Sequence, residues 1–190
     1  MPQKVNSNFI DHISIACFDV LKAEQDYINT FGWDVAERYF DPDSHINVSC
    51  FAVGPTTVEV MEDEYSGGWY ELQDNSGKVV LSGPGDKTKW VKKTTPKPEG
   101  KMADVGYWIT KANNGREGIQ LLSINVDDVN KEAPKLKANG ATIVPEKGTN
   151  KEVRFWPEKK RNYAFIHPRS MHGALWEVID GKYESQKGKK

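Results

Sequence analysis

Apolar and polar residues alternate through Phe9-Ile10-Asp11-His12-Ile13-Ser14-Ile15. That two-residue period predicts a strand with Ile10 on the His12 face and Phe9 and Ile13 on the other. Val20, Leu21, Ala23, Glu24, Tyr27 and Ile28 then follow a helical period, with Asp19 as its N-cap and Gly32 as its stop. Weaker alternation predicts a strand over 33–40. Asp41-Pro42-Asp43-Ser44 reads as a turn, and Gly54-Pro55 separates two β-rich runs, 46–53 and 57–61. The order is strand, helix, three strands, ending near residue 62.

The pattern then returns. A shift of 109 sets Ile10 on Ile119, Ile13 on Leu122, Ser14 on Ser123, Ile15 on Ile124, Asp19 on Asp128 and Val20 on Val129. This is an internal repeat, and its one telling break is that His12 falls on Leu121. In the second copy Asp127 or Asp128 caps a helix running to about Ala138, and Asn139-Gly140 ends it. Pro134 inside predicts a kink or an irregular turn. Strands are expected over 141–145, 153–156, 163–166 and 174–179. Glu158-Lys159-Lys160-Arg161 and His167-Pro168-Arg169-Ser170 are read as turns. The organisation expected is a first module over 8–62, a second over 118–180, and a basic tail over 181–190.

Between the modules, 63–117 is rich in Gly and Pro and carries Trp69, Trp90, Trp108, Tyr65, Tyr70 and Tyr107. A plain linker is poor in aromatics. An ordered insertion packed on the body is expected, with a hairpin around 78–81, and a lid over a ligand is the alternative.

Composition narrows the picture. The 190 residues suit one domain or two small fused modules. Net charge of −1 gives no global pull toward nucleic acid. Cys17 and Cys50 lie in apolar runs, with the wrong spacing for a zinc knuckle, and read as buried free thiols. No apolar run approaches membrane-span length and the first residues are not of the secretory type, so the expectation is a cytoplasmic protein with no membrane partner.

The candidate chemistry lies in the closing strand of each module. Glu59 stands in Thr-Val-Glu-Val-Met and Glu177 in Leu-Trp-Glu-Val-Ile. A lone carboxylate among apolar neighbours is costly unless it faces solvent, a cation or hydrogen-bond donors. Its recurrence in both repeats favours a shared role. Imidazole nitrogen with carboxylate oxygens suits a divalent metal of the Zn, Mn, Co, Ni or Fe kind.

Asp11-His12-Ile13-Ser14-Ile15 before a helix, Val58-Glu59-Val60-Met61, Phe165-Ile166-His167-Pro168-Arg169-Ser170 and Gly173-Ala174-Leu175-Trp176-Glu177-Val178 resemble the vicinal oxygen chelate superfamily (glyoxalase, bleomycin resistance and dioxygenase proteins). Within it the likeness is to methylmalonyl-CoA epimerases and glyoxalase I, over both modules and not the insertion. The resemblance implies an α+β fold in which two paired βαβββ modules form an open, barrel-like cleft around one metal. It implies His12, Glu59 and Glu177 as metal ligands. The fourth family position holds Leu121, which cannot bind a metal, and Gln120 beside it points to the opposite face of a regular strand. It further implies Glu177 as a proton acceptor, with Asp43 nearest to the family's loop glutamate as a second acid–base residue. Arg154 and Arg169 are candidates for a CoA phosphate or a substrate carboxylate, and His172 for the cleft lining. His167 is read as structural.

The function so implied is a metal-assisted lyase or isomerase. It would move a proton next to the carbonyl of a small compound, a CoA thioester being one form, and the family also allows a homodimer. Two alternatives stand beside it. One is a metal-free small-molecule binding protein of the same fold, to which Leu121 and the tryptophans point. The other is an iron-dependent dioxygenase, disfavoured because only one histidine stands with two glutamates.

Overall fold

The computed structural model describes residues 1–97, 99–100, 102–157 and 159–182. Glu158 of the expected charged turn and residues 183–190 of the expected basic tail lie outside them. In chain order the elements are β1 (Ser7–Cys17), α1 (Val20–Phe31), β2 (Val35–Asp41), β3 (Ile46–Val53), β4 (Thr56–Asp63), β5 (Tyr70–Asp74), β6 (Ser82–Pro84) and β7 (Thr88–Lys92). Then follow α2 (Asp104–Tyr107), which continues into a π-helical turn, β8 (Gly118–Val126), α3 (Val129–Ala138), β9 (Ile143–Val144), β10 (Arg154–Trp156), β11 (Arg161–Ile166) and β12 (Leu175–Ile179). The class is α+β.

The chain forms two compact units. One holds Met1–Ile13, Gly54–Thr56 and the described residues from Leu121 on; the other holds Ser14–Val53 and Thr57–Gln120. Strand β1 thus gives its first part to one unit and its last part to the other.

In the unit with the C-terminal half, neighbouring strands run β10-β11-β12-β8-β1. β12 lies parallel to β8, with Glu177 beside Ser123 and Leu175 beside Leu121. β9 and β10 both pair antiparallel with β11, Ile143 on Ile166 and Arg154 on Tyr163. They act as one strand interrupted by 145–153, so the strand expected over 141–145 is shorter. Pro145 has no N–H to give the ladder, and Gly148 turns at φ 77°. Asp128 caps α3 by accepting from Asn130 N–H at 3.0 Å, and Pro134 sits inside the helix without breaking it. The helix packs Val129 and Ala133 against Val126, Ile143, Ala164, Ile166 and Val178. Each large aliphatic side chain so buried contributes about 1.5–3 kcal/mol.

In the other unit the order is β1-β4-β3-β2-β6, with β5 and β7 paired separately. Asp19 caps α1 by accepting from Lys22 N–H, and Gly32 closes it at φ 66° with its N–H on Ile28 O. The core joins Val20, Phe51 and Val60 to Tyr70, Leu72 and Trp90 from the aromatic-rich stretch. Trp90 therefore works as a packing residue, its indole N–H donating to Ser49 Oγ at 2.8 Å. A tight turn brings Val79 beside Gln73.

Candidate functional site

Four neighbouring strands of the first-described unit bring a polar cluster into its interior. His12 and Asp11 come from β1, Ser123 and Asn125 from β8, Glu177 from β12 and Arg161 from β11. His12, Glu177 and Asp11 are 3%, 5% and 0% exposed. His12 Nε2 lies 3.3 Å from Glu177 Oε2, and Ser123 Oγ donates to that same oxygen at 2.6 Å. On the other side of the ring His12 Nδ1 lies 3.0 Å from Asp11 Oδ1. Asp11 Oδ2 accepts from Arg161 Nη2 at 2.5 Å and from Asn125 Nδ2 at 3.0 Å.

The charges are set by these contacts. Burial pushes the Asp11 carboxyl up, but the His12 hydrogen bond and the Arg161 guanidinium outweigh it and leave it below its ordinary value. Burial pushes the Glu177 carboxyl above its ordinary value, against the pull of His12 and Ser123. With Nδ1–H on Asp11, a neutral His12 turns a lone pair toward Glu177 Oε2. Two acceptors then face each other in the interior unless a positive charge, a proton or a cation, lies on or between them.

Glu59 belongs to the other unit and repeats part of this arrangement. Ser14 Oγ donates to its Oε2 at 2.7 Å and Tyr39 OH to its Oε1 at 3.2 Å. Ser14 and Ser123 are repeat equivalents, so each module's closing-strand glutamate takes a hydroxyl from the same place. Asp43, in that unit too, is exposed, its N–H tied to Asp41 Oδ1.

The remaining candidates are in the unit of His12. Arg154 lies over the Phe165 and Tyr163 rings at 5.1 and 6.0 Å and donates to Pro145 O at 3.1 Å. Phe165 pairs with Glu177 across β11 and β12, so these aromatics share the sheet face of that carboxylate. Arg169 and His172 are exposed on the turn before β12. The His167 ring accepts from Arg169 N–H and holds that turn together. Leu121 is buried beside Leu175.

The sequence pattern does not mark Asp11, Ser123, Asn125 and Arg161 as site residues. The repeat carried one usable signal, Ser14 aligned on Ser123. Arg161, which the sequence pattern assigns to a charged turn, instead opens β11 and is buried.

Residues 9–156 match the family described as the Glyoxalase/Bleomycin resistance protein/Dioxygenase superfamily. The chain belongs to that superfamily. Solved structures with this superfamily member's fold include a Streptomyces coelicolor methylmalonyl-CoA epimerase variant in complex with 2-nitronate-propionyl-CoA. It is 20% identical, with a TM-score of 0.64, covering 94% of this chain and 100% of that one. Methylmalonyl-CoA epimerase from Mycobacterium tuberculosis is 19% identical, at TM-score 0.65, with 97% and 95% covered. A hypothetical protein from Bacillus halodurans is 19% identical, at TM-score 0.65, with 94% and 98% covered. At these identities the likeness shows the fold. No curated protein matches the sequence. Among the described residues no helix is long and apolar enough to cross a membrane.

A divalent metal is what this superfamily implies, and the His12–Glu177 pair can be tested against it. Ligands each about 2.0–2.2 Å from one ion lie about 3.0–3.5 Å apart at octahedral to tetrahedral angles, and Nε2 and Oε2 are 3.3 Å apart. The pair fits one edge of such a shell, and Asp11 behind Nδ1 is the kind of partner that orients a metal-bound imidazole. Among the described residues no group of three or more His, Cys, Asp and Glu side chains is placed to hold a metal ion, so the pair supplies two ligands.

Proposed function

We propose that this protein is an epimerase-like isomerase or lyase that moves a proton at the carbon next to the carbonyl of a small acyl compound, with acyl-CoA thioesters as the substrate class. The observation that carries this reading is the buried contact of His12 Nε2 with Glu177 Oε2. The fold shared with methylmalonyl-CoA epimerases supports it.

Glu177 is the proposed proton acceptor. Burial raises the basicity of its carboxyl above that of an ordinary carboxylate. Ser123 and His12 both address Oε2, which leaves Oε1 to take the proton and return it. His12 and Glu177 are the proposed ligands of a divalent cation, and Glu59 is proposed for the same duty through the repeat. When bound, that cation supplies Lewis-acid polarisation of the carbonyl oxygen. Asp43 is proposed as the second acid–base group, and Arg154 as the binder of an anionic part of the substrate. Arg169 and His172, on the exposed turn, are proposed as secondary contacts.

The test is exchange of the α-proton of a short-chain acyl-CoA in deuterated water, followed by mass spectrometry. Wild type incorporates deuterium after addition of Co, Mn, Ni, Zn or Fe, and Glu177→Gln and His12→Ala lower the rate by about 100-fold or more. No exchange under any of these conditions contradicts the reading.

A second reading is a metal-free binding module. The buried Leu121 favours it, because it puts an aliphatic side chain where the repeat expects an imidazole. Ligand-induced quenching of tryptophan fluorescence without metal, together with no exchange, would support it.

A further inference from the structure

We propose that Asp11, locked by Arg161 and Asn125, is the positioning residue of His12. It holds the imidazole as the Nδ1–H tautomer and keeps Nε2 aimed at Glu177. The inference concerns the site proposed above, but its test does not depend on any reaction.

The argument starts from hydrogen-bond inventory. An ionised carboxylate only accepts. Asp11 is held ionised by Arg161 at 2.5 Å, so its Oδ1, 3.0 Å from Nδ1, demands a proton on that nitrogen. The other oxygen is occupied twice, by Arg161 Nη2 and Asn125 Nδ2. These two donors fix the plane of the carboxylate and therefore the direction from which Nδ1 is met. Arg161 is itself fixed, its Nε donating to Asp180 O at 2.6 Å. Asn125 is fixed by donating to Gly181 O at 2.6 Å as well. The line of support runs from the backbone after β12, through Arg161 and Asn125, to Asp11 and then the ring.

A purely structural role does not require this arrangement. A buried Asp–Arg pair can be replaced by apolar residues without loss of stability, so the pair alone does not call for an imidazole at the second Asp11 oxygen. An alternative tautomer, with the proton on Nε2, would let His12 donate directly to Glu177 Oε2, but would set the bare Nδ1 against the Asp11 carboxylate. The clamp excludes that state. It matters more in this chain because Leu121 removes the imidazole expected in the second module, leaving one ring whose lone pair must be aimed.

The experiment is long-range nitrogen–proton correlation NMR on full-length, histidine-labelled protein, with His12→Gln to assign the ring signals. In wild type the Nδ1 of His12 carries the proton. In Asp11→Ala the population moves to Nε2–H, and in the milder Asn125→Ala, which keeps the Arg161 pair, Nδ1 protonation is partly lost. Affinity for Co2+ alone, read from its visible absorption, falls about 10–100-fold in Asp11→Ala. A bare Nδ1 in the wild type overturns the proposal without any variant. So does a folded Asp11→Ala or Asn125→Ala protein whose His12 tautomer and Co2+ affinity match wild type. Loss of acyl-CoA exchange with the tautomer intact would count against the proposed reaction and leave the positioning role standing.

Discussion

Ser123 Oγ donates to Glu177 Oε2 at 2.6 Å, joining the first strand of the second module to its last. The first module does the same with Ser14 and Glu59 at 2.7 Å. Both hydroxyls meet carboxylates that are almost fully buried, where an unsatisfied acceptor is expensive. Ser123→Ala should therefore cost about 1–3 kcal/mol of stability, and Ser14→Ala a similar amount. Urea denaturation of the two variants checks this. Unchanged midpoints would show that water replaces the hydroxyls.

A second prediction concerns pH. Glu62 is fully buried at the start of α1, its Oε2 accepting from Val20 N–H at 2.6 Å. Burial pushes its carboxyl up to about 8, with the Val20 N–H opposing and Asp19 adding to the rise. The folded state then binds a proton that the unfolded chain releases above its ordinary value near 4.5. Stability from this group is full below that value and is lost as pH climbs through about 8. The slope is at most about 1.4 kcal/mol per pH unit. Urea midpoints from pH 5.5 to 8.5 should fall for wild type and flatten in Glu62→Gln. A wild-type profile as flat as the variant's would refute it.

Arg38 gives a third. Its Nε and Nη2 donate to the two oxygens of buried Glu24 at 2.7 and 2.6 Å, and its Nη1 donates to Gly85 O and Thr88 O. Ser49 also donates to Glu24, at 2.6 Å. Arg38→Met leaves a buried carboxylate without its cation, at a cost of about 3–5 kcal/mol. The double variant Arg38→Met, Glu24→Leu should recover most of it. A single variant as stable as wild type would contradict the network's role.

Gly85 gives a fourth, through space rather than charge. A Cβ there would lie 1.9 Å from the carbonyl oxygen of Val35, a backbone atom that cannot swing away. Gly85→Ala should lower stability by about 1–3 kcal/mol, read as a drop in Tm. The same change at Gly83, where the nearest atom belongs to the Thr88 side chain, should cost less.

What was legible in the sequence was local. Asp19 with Gly32 and Asp128 with Asn139 bound their helices because capping chemistry acts within a few residues. The repeat exposed Ser14 and Ser123 as equivalents. Asp11 was not legible as a site residue. Its partner Arg161 is 150 residues away, and an alternating strand gives no sign that both faces are covered. Ile10, expected on the face of His12, is 48% exposed: alternation tells which residues share a face, not how far the cover reaches along it. The helix from Asp104 was also invisible. It contains Gly106 and has no apolar period; a distant residue, Asp63, accepts from the Gly106 N–H at 3.2 Å.

The most direct test of the central claim is the metal content of the purified, untagged protein after incubation with divalent ions and gel filtration. His12→Ala and Glu177→Ala would be treated in the same way. The proposed His12–Glu177 site predicts about one ion per wild-type chain, lost in both variants. Wild-type protein that emerges without metal, or variants that keep it, would contradict the account.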